Sequence, residues 1–168
     1  IDLSDRKQAE ATLQASERRA RVQRTALAQL ALNPFFAEGD TSRAFQFVAK
    51  SISETLDVAR ASVWSLSEDK SRLHCRALYQ SDSKTLSSGT ALVGSDLPRY
   101  FTAIMTDNRI FAEDAQNDPR TSELTESYLR PLGITSLLDS GVVIEGSLKG
   151  IVCSEHIGPL RKWHPDEE

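Results

Sequence analysis

The 168-residue sequence predicts an α+β fold with antiparallel strand pairs, and three observations carry that expectation. Short apolar runs come in pairs joined by brief polar turns: Ala59 to Leu66 with Leu73 to Tyr79, and Thr135 to Ile144 with Leu148 to Ile157. Helical periodicity falls between those pairs rather than after each strand, which disfavours a parallel βαβ arrangement. A stretch of strong helix formers without Gly or Pro, residues 4–32, precedes the whole.

Taken in order, that first stretch ends at Asn33-Pro34, a helix stop. Leu13, Ala20 and Leu27 recur every seven residues, with Ala9, Ser16, Gln23 and Leu30 at the complementary heptad position, which describes a weak coiled coil. A single amphipathic helix docked on its own domain is the competing reading of the same imperfect pattern. After Asp40 and Thr41, either a suitable N-cap, the spacing of Ala44, Phe45, Val48, Ile52 and Leu56 predicts a helix over 42–56 with one face on a core. The first strand pair follows, turned by Glu68-Asp69-Lys70-Ser71, and polar residues 81–94 predict a loop or short edge strand.

Asp96 as cap and Pro98 in the first turn predict a helix with Leu97, Tyr100, Phe101, Ile104 and Met105 on one face, followed by a short strand from Arg109 to Ala112. Asp118-Pro119 repeats that signature and predicts a helix carrying Leu124, Tyr128 and Leu129 before Pro131 and Gly133 close it. Glu145-Gly146-Ser147 turns the last hairpin, and Pro165 to Glu168 resembles the opening of a further helix.

Composition narrows function. With 39% hydrophobic and 26% charged residues the chain falls in the ordinary globular range. The net charge of -4 divides into about +2 for residues 1–30 and about -6 for the rest, so the folded part lacks the basic stripe of a nucleic-acid binder. No apolar run approaches a membrane span, and the two cysteines, Cys75 and Cys153, sit in apolar runs where reduced, buried thiols are expected. The expected setting is the cytoplasm, with no membrane contact by this segment.

Catalytic and metal readings find little material. His74-Cys75 and Cys153-x-x-His156 lie on separate predicted strands, neighbouring strand residues face opposite ways, and no CxxC or HxxxH spacing is present. Neither GxGxxG nor GxxxxGK[ST] occurs, which excludes the usual phosphate-binding loops, and the segment is expected not to be an enzyme.

Two resemblances enter on particular residues. Ile1-Asp2-Leu3-Ser4-Asp5-Arg6-Lys7-Gln8-Ala9-Glu10 resembles the segment that leaves a PAS domain and begins a signalling helix, which implies a PAS domain upstream. Arg60-Ala61-Ser62-Val63-Trp64, Arg109 to Ala115, Tyr128 to Ile134, Leu148 to His156 and Arg161-Lys162-Trp163, in that order and spacing, resemble the GAF domains of bacterial histidine kinases, diguanylate cyclases and phytochrome-related photoreceptors. Residues 1–33 then read as a helical linker and 34–168 as a GAF domain. The resemblance implies a GAF-like central antiparallel sheet, with terminal helices on one face and a small-molecule pocket beneath the middle helices on the other.

Function follows as an expectation: a sensory domain, dimeric through its N-terminal helix, relaying an effector signal to a histidine kinase or GGDEF output. A ligand-free dimerisation or spacer domain is the second reading. A redox enzyme akin to GAF-like methionine sulfoxide reductases stands third, because two strand-borne cysteines do not supply that chemistry. The effector itself is left unknown. Bilin-binding relatives attach their pigment through a Cys that residues 118–130 lack, which disfavours a covalent bilin, and the cyclic-nucleotide constellation Asn-Lys-x-Phe-Asp-Glu is absent, which leaves a cyclic nucleotide open but unsupported. For the pocket, Trp64, Tyr100, Asp114, Tyr128 and Ser136 combine rings with a carboxylate and a hydroxyl near element ends. Asp139 joins them, because a carboxylate inside an apolar strand must reach solvent, find donors or face a polar cavity.

Overall fold

A computed structural model of the chain describes residues 3–32, 34 and 39–167, except for the side chains of Leu30 and Ala31. Helix α1 (Leu3–Ala31) leads into α2 (Thr41–Leu56), whose N-cap Asp40 accepts a hydrogen bond from the Arg43 amide at 3.1 Å. Strands β1 (Arg60–Leu66), β2 (Arg72–Gln80), β3 (Thr85–Ser87) and β4 (Ala91–Val93) follow, then α3 (Pro98–Asp107) and β5 (Arg109–Ala112). A short 3₁₀ turn (Ser122–Leu124) runs into a π-turn (Thr125–Leu129) before the long hairpin β6 (Ile134–Ile144) and β7 (Ser147–Ile157).

The sheet is antiparallel, in the order β3-β2-β1-β7-β6-β5, with β4 also pairing β2. Polar residues 81–94 therefore form two short edge strands on β2. The β6–β7 hairpin turns at Glu145 and Gly146, both with positive φ (51° and 74°), the backbone that a two-residue type I′ turn requires.

Both faces of the sheet are covered. On one, α2 packs Phe45, Val48 and Ala49 against Val63, Ala77 and Tyr79, while Ile52 and Leu56 join Val58, Ala61, Leu138 and Trp163. On the other, α3 and residues 113–133 form a roof over Trp64, Leu73, Cys75, Leu137, Ile151 and Cys153. A bulge at Arg76, which has no partner between the pairs Val63↔Ala77 and Trp64↔Cys75, turns Leu73 and Cys75 to the roof and Ala77 and Tyr79 to α2. Beside it the chains approach closely: a Cβ on Gly150 would lie 2.1 Å from the Trp64 carbonyl oxygen, so only glycine fits there.

Two expected caps and one expected helix differ. Asp96 does not cap α3; Leu97 occupies the cap position, and the Glu123 carboxylate, reaching from the 3₁₀ turn, accepts from the amides of Arg99 (2.9 Å) and Tyr100 (3.1 Å). A distant side chain thus supplies what the local one does not, and it ties the two parts of the roof together. Asp118 holds Arg120 through its amide and guanidinium, and residues 119–129 form turns and the 3₁₀ and π segments instead of one α-helix. Buried Thr121 and Thr125 explain the irregularity, since their hydroxyls donate to the carbonyls of Ala115 and Gln116 and tie the segment to the preceding loop. Residues 165–167 form a turn, and Glu168 lies outside the described residues.

Candidate ligand site

The sheet register alone places a polar cluster under the roof. Across β6, β7 and β1 one row reads Asp139, Cys153, Ser62; the next reads Leu137, Glu155, Arg60, and Gln80 follows on β2. Because β1, β7 and β6 are all interior strands and the sheet is covered on both faces, Arg60, Glu155 and Asp139 are buried. Charged groups there must find partners or lose their charge.

Arg60 finds three. Its Nε donates to Glu155 Oε2 at 2.7 Å, its Nη1 to the side-chain oxygen of Gln80, and its Nη2 to the Tyr128 hydroxyl at 3.2 Å. Tyr128, reaching down from the π-turn, donates its own proton to Glu155 Oε1 at 2.8 Å and lies 5.8 Å beneath the guanidinium carbon. Burial works against the Arg60 charge, but Glu155 and Tyr128 more than offset it and hold the guanidinium firmly protonated. Burial, with the Glu155 charge, drives the Tyr128 phenol well above its ordinary range.

Asp139 finds only one strong donor. Tyr100 on α3 gives its hydroxyl proton to Oδ2 at 2.5 Å, while Oδ1 has no hydrogen-bond partner. The Cys153 thiol lies against both carboxylates, 3.8 Å from Glu155 Oε1, and has a single weak proton to share between them. Burial pushes the Asp139 carboxyl up to about 6, and it drives the Tyr100 phenol and the Cys153 thiol well above their ordinary values. Cys75 is similarly pushed up to about 11, so neither thiol is a ready nucleophile.

These groups wall a small enclosed space of about 20 Å³ bounded by Trp64, Leu92, Tyr100, Leu124, Tyr128, Leu137, Asp139, Cys153 and Glu155. That volume holds about one water, whereas small-molecule pockets typically run to roughly 300–1,000 Å³. Any larger occupant must lift the roof, which means parting Glu123 from α3 or Tyr128 from Arg60 and Glu155. Larger hollows are open grooves: two of about 300 and 320 Å³ run along the α1–α2 seam, one of about 580 Å³ follows the start of α1, and another of about 580 Å³ lies between the β1–β2 turn and α3.

Four of the six residues singled out from sequence, Trp64, Tyr100, Tyr128 and Asp139, come together around this space. The other two lie elsewhere. Asp114 accepts from the Asn117 side chain in the turn after β5, and Ser136 faces away, donating to the Glu113 carbonyl and accepting from the Arg161 amide. Sequence reasoning passed over Arg60, Glu155 and Cys153 as site residues. Arg60 and Glu155 carry the signal that flagged Asp139, a charge inside an otherwise buried strand run; Cys153 carries none, since a buried thiol in an apolar run is the ordinary expectation. Among the described residues no group of three or more His, Cys, Asp or Glu side chains is placed to hold a metal ion. None of their helices is long and apolar enough to cross a membrane.

An antiparallel sheet with α2 on one face and a roofed, polar-lined space on the other is the frame of a regulatory domain. The GAF domain family matches residues 40–168, and the chain belongs to it, a family of domains that are generally regulatory rather than catalytic. Solved structures agree on the fold. The GAF domain of an Acinetobacter phosphoenolpyruvate-protein phosphotransferase is 12% identical with a TM-score of 0.65, over 89% of this chain and 82% of that one. The blue-light absorbing form of the Thermosynechococcus elongatus PixJ GAF domain is 17% identical with a TM-score of 0.63, over 76% of each chain. The chromophore-binding domain of Stigmatella aurantiaca phytochrome P1 is 14% identical with a TM-score of 0.65, over 89% of this chain and 55% of that one. No curated protein sequence matches.

Proposed function

We propose that this GAF domain is the sensory input of a multidomain signal-transduction protein, and that a small effector binds beneath α3 and the 122–129 segment. The observation that carries the reading is the polar cluster itself. An apolar core of the same shape would be at least as stable as one holding Arg60, Glu155, Tyr100 and Asp139, since buried ion pairs rarely repay their desolvation. Placing them around a space at the sheet-roof junction serves recognition better than stability. The π-turn that carries Tyr128 has the same character, because such turns are frequent at functional sites.

Relay runs through the flanking helix. α1 is about 43 Å long at 1.5 Å per residue, and among its described side chains only Arg19, Ala20, Gln23 and Ala26 are partly shielded, by α2 and the chain's C-terminal turn. Leu13 and Leu27 stay exposed, and they lie two heptads apart. A second copy of the chain is the partner that fits, giving a homodimer through α1; the Leu30 side chain of that seam lies outside the described residues. The PAS-like segment at residues 1–10 supports a PAS domain upstream, and an output of the histidine kinase or diguanylate cyclase type downstream completes the assignment. The setting is cytoplasmic. A covalent bilin forms no part of the proposal, because residues 118–130 lack cysteine and both thiols are buried on strands.

A ligand-free spacer is the second reading, and the small size of the cavity favours it. Native mass spectrometry of the purified chain, followed by a thermal-shift screen of nucleotides, tetrapyrroles and small metabolites, separates the two. Co-purification of a ligand or a saturable rise in melting temperature supports the sensor; neither in any condition supports the spacer.

A further inference from the structure

We infer that the site accepts a small molecule that leads with N–H donors, of the protonated-amine or amidine class, and that Asp139 Oδ1 is the atom that receives it. The inference rests on the effector-binding reading above and adds the chemical class.

The unpaired atom comes first. Asp139 is 1% exposed, its Oδ1 has no partner, and it borders the enclosed space together with Trp64, Tyr100 and Tyr128. A buried acceptor left empty is costly, so the site is complete only with a donor beside that oxygen. One water fits the resting space, and an ammonium head group is about the same size.

Charge then selects the class. The lining holds two carboxyl groups, Asp139 and Glu155, and no cationic side chain; Arg60 stands behind Glu155, with each of its three nitrogens already donating. The hydroxyl protons of Tyr100 and Tyr128 are committed to those same carboxylates. An anion would meet two like charges and, in the lining, only the weak Cys153 thiol as a donor, whereas a cation would meet two acceptors and three aromatic rings. Rings of Trp and Tyr favour an ammonium group electrostatically, most strongly where water is excluded.

The groups facing Asp139 are Tyr100 from α3 and Cys153 and Glu155 from β7, with Arg60 and Tyr128 beyond them; β5 contributes Ile110 opposite. Because the carboxyl titrates near 6, donor binding to its ionised form strengthens as pH rises through that value.

The test uses the 168-residue chain with methylammonium or acetamidinium chloride as probes, and sodium chloride and sodium acetate at equal ionic strength as controls. The readout is the Trp64 indole N–H resonance. Saturable shifts with the two cations at pH 7.5 are expected, about tenfold weaker at pH 5 and at least tenfold weaker in Asp139→Asn. Tyr100→Phe, which frees Oδ2, is expected to bind the cations more tightly, and it keeps the proposal testable should Asp139→Asn fail to fold. An unchanged response in Asp139→Asn, weaker binding in a folded Tyr100→Phe, or binding of acetate in preference to the cations overturns the inference. In the last case, or if another molecule alone moves the Trp64 signal, the effector reading stands while the class falls. If neither probes nor any screened metabolite perturb Trp64 or raise the melting temperature, both fall together.

Discussion

Asp139 links the energetics of the core to the chemistry of the site. Its carboxyl is raised from its usual value to about 6 by burial, so the native state prefers it protonated. That preference adds stability in full below about pH 4, the unfolded value, and it is lost as pH rises through 6, a difference of roughly 3 kcal/mol for a shift of two pH units. Urea unfolding of Asp139→Asn between pH 4 and 7.5 is expected to lack this decline; a slope equal to that of the unaltered protein would contradict the assignment. Arg60 and Glu155 behave differently, because each compensates the other. Arg60→Ala leaves the Glu155 carboxylate buried with Tyr128 and the weak Cys153 thiol as its remaining donors and is expected to cost about 3–5 kcal/mol, while Arg60→Met with Glu155→Leu recovers most of the loss in a double-mutant cycle. Each of these residues could be flagged from sequence as a charge inside a strand run. Their mutual positions could not, because they depend on the pairing Arg60↔Glu155 and Asp139↔Cys153 between strands far apart in the chain.

The elements were more legible than their ends. Apolar spacing predicts α1, α2, α3 and the two long hairpins closely, since each buries a continuous face and the turns carry their usual residues. The misses have local causes. Asp96-Leu97-Pro98 and Asp118-Pro119 look alike in sequence, yet the first opens an α-helix capped by remote Glu123, and the second opens turns held by Thr121 and Thr125. The alternation of Leu73, Cys75, Ala77 and Tyr79 is also deceptive: strict period two would put all four on one face, and the bulge at Arg76 divides them. Glu123 is the hinge of the roof in energetic terms. Glu123→Gln weakens the charge-assisted bonds to the first turn of α3 and is expected to cost about 1 kcal/mol, with faster amide exchange at Arg99 and Tyr100 and little change elsewhere. Equal acceleration across β1 and β7 would mean that the roof does not open on its own.

The whole molecule joins a roofed cavity on one sheet face to helices on the other. α2 contacts β1 and β2 directly and shields the last turns of α1, while Arg19 and Gln23 of α1 hold Asp166 at the far end of the chain, so both ends of the domain meet on the α2 side. An effector that moves Tyr128 would act first on Arg60 and Glu155, and through β1 on the packing of Val63 and Ala61 against α2. In the dimeric reading that displacement reaches α1 and its partner. Leu13→Glu combined with Leu27→Glu in the full chain is expected to shift sedimentation toward monomer without lowering the melting temperature of the domain, and an unchanged dimer would place the interface elsewhere. The central claim, that the space under the roof receives an effector, has a direct reporter. The chain has two tryptophans, and Trp64 stands in the cavity wall with its indole N–H on Ser62 Oγ at 2.7 Å, while Trp163 packs on the α2 side. Following both indole N–H resonances through the metabolite screen, with Trp163→Phe to assign them, tests the claim most plainly. The account predicts at least one compound that moves the Trp64 resonance saturably, leaves Trp163 nearly still and raises the melting temperature; a Trp64 resonance unmoved by every compound, with no change in melting temperature, would contradict it.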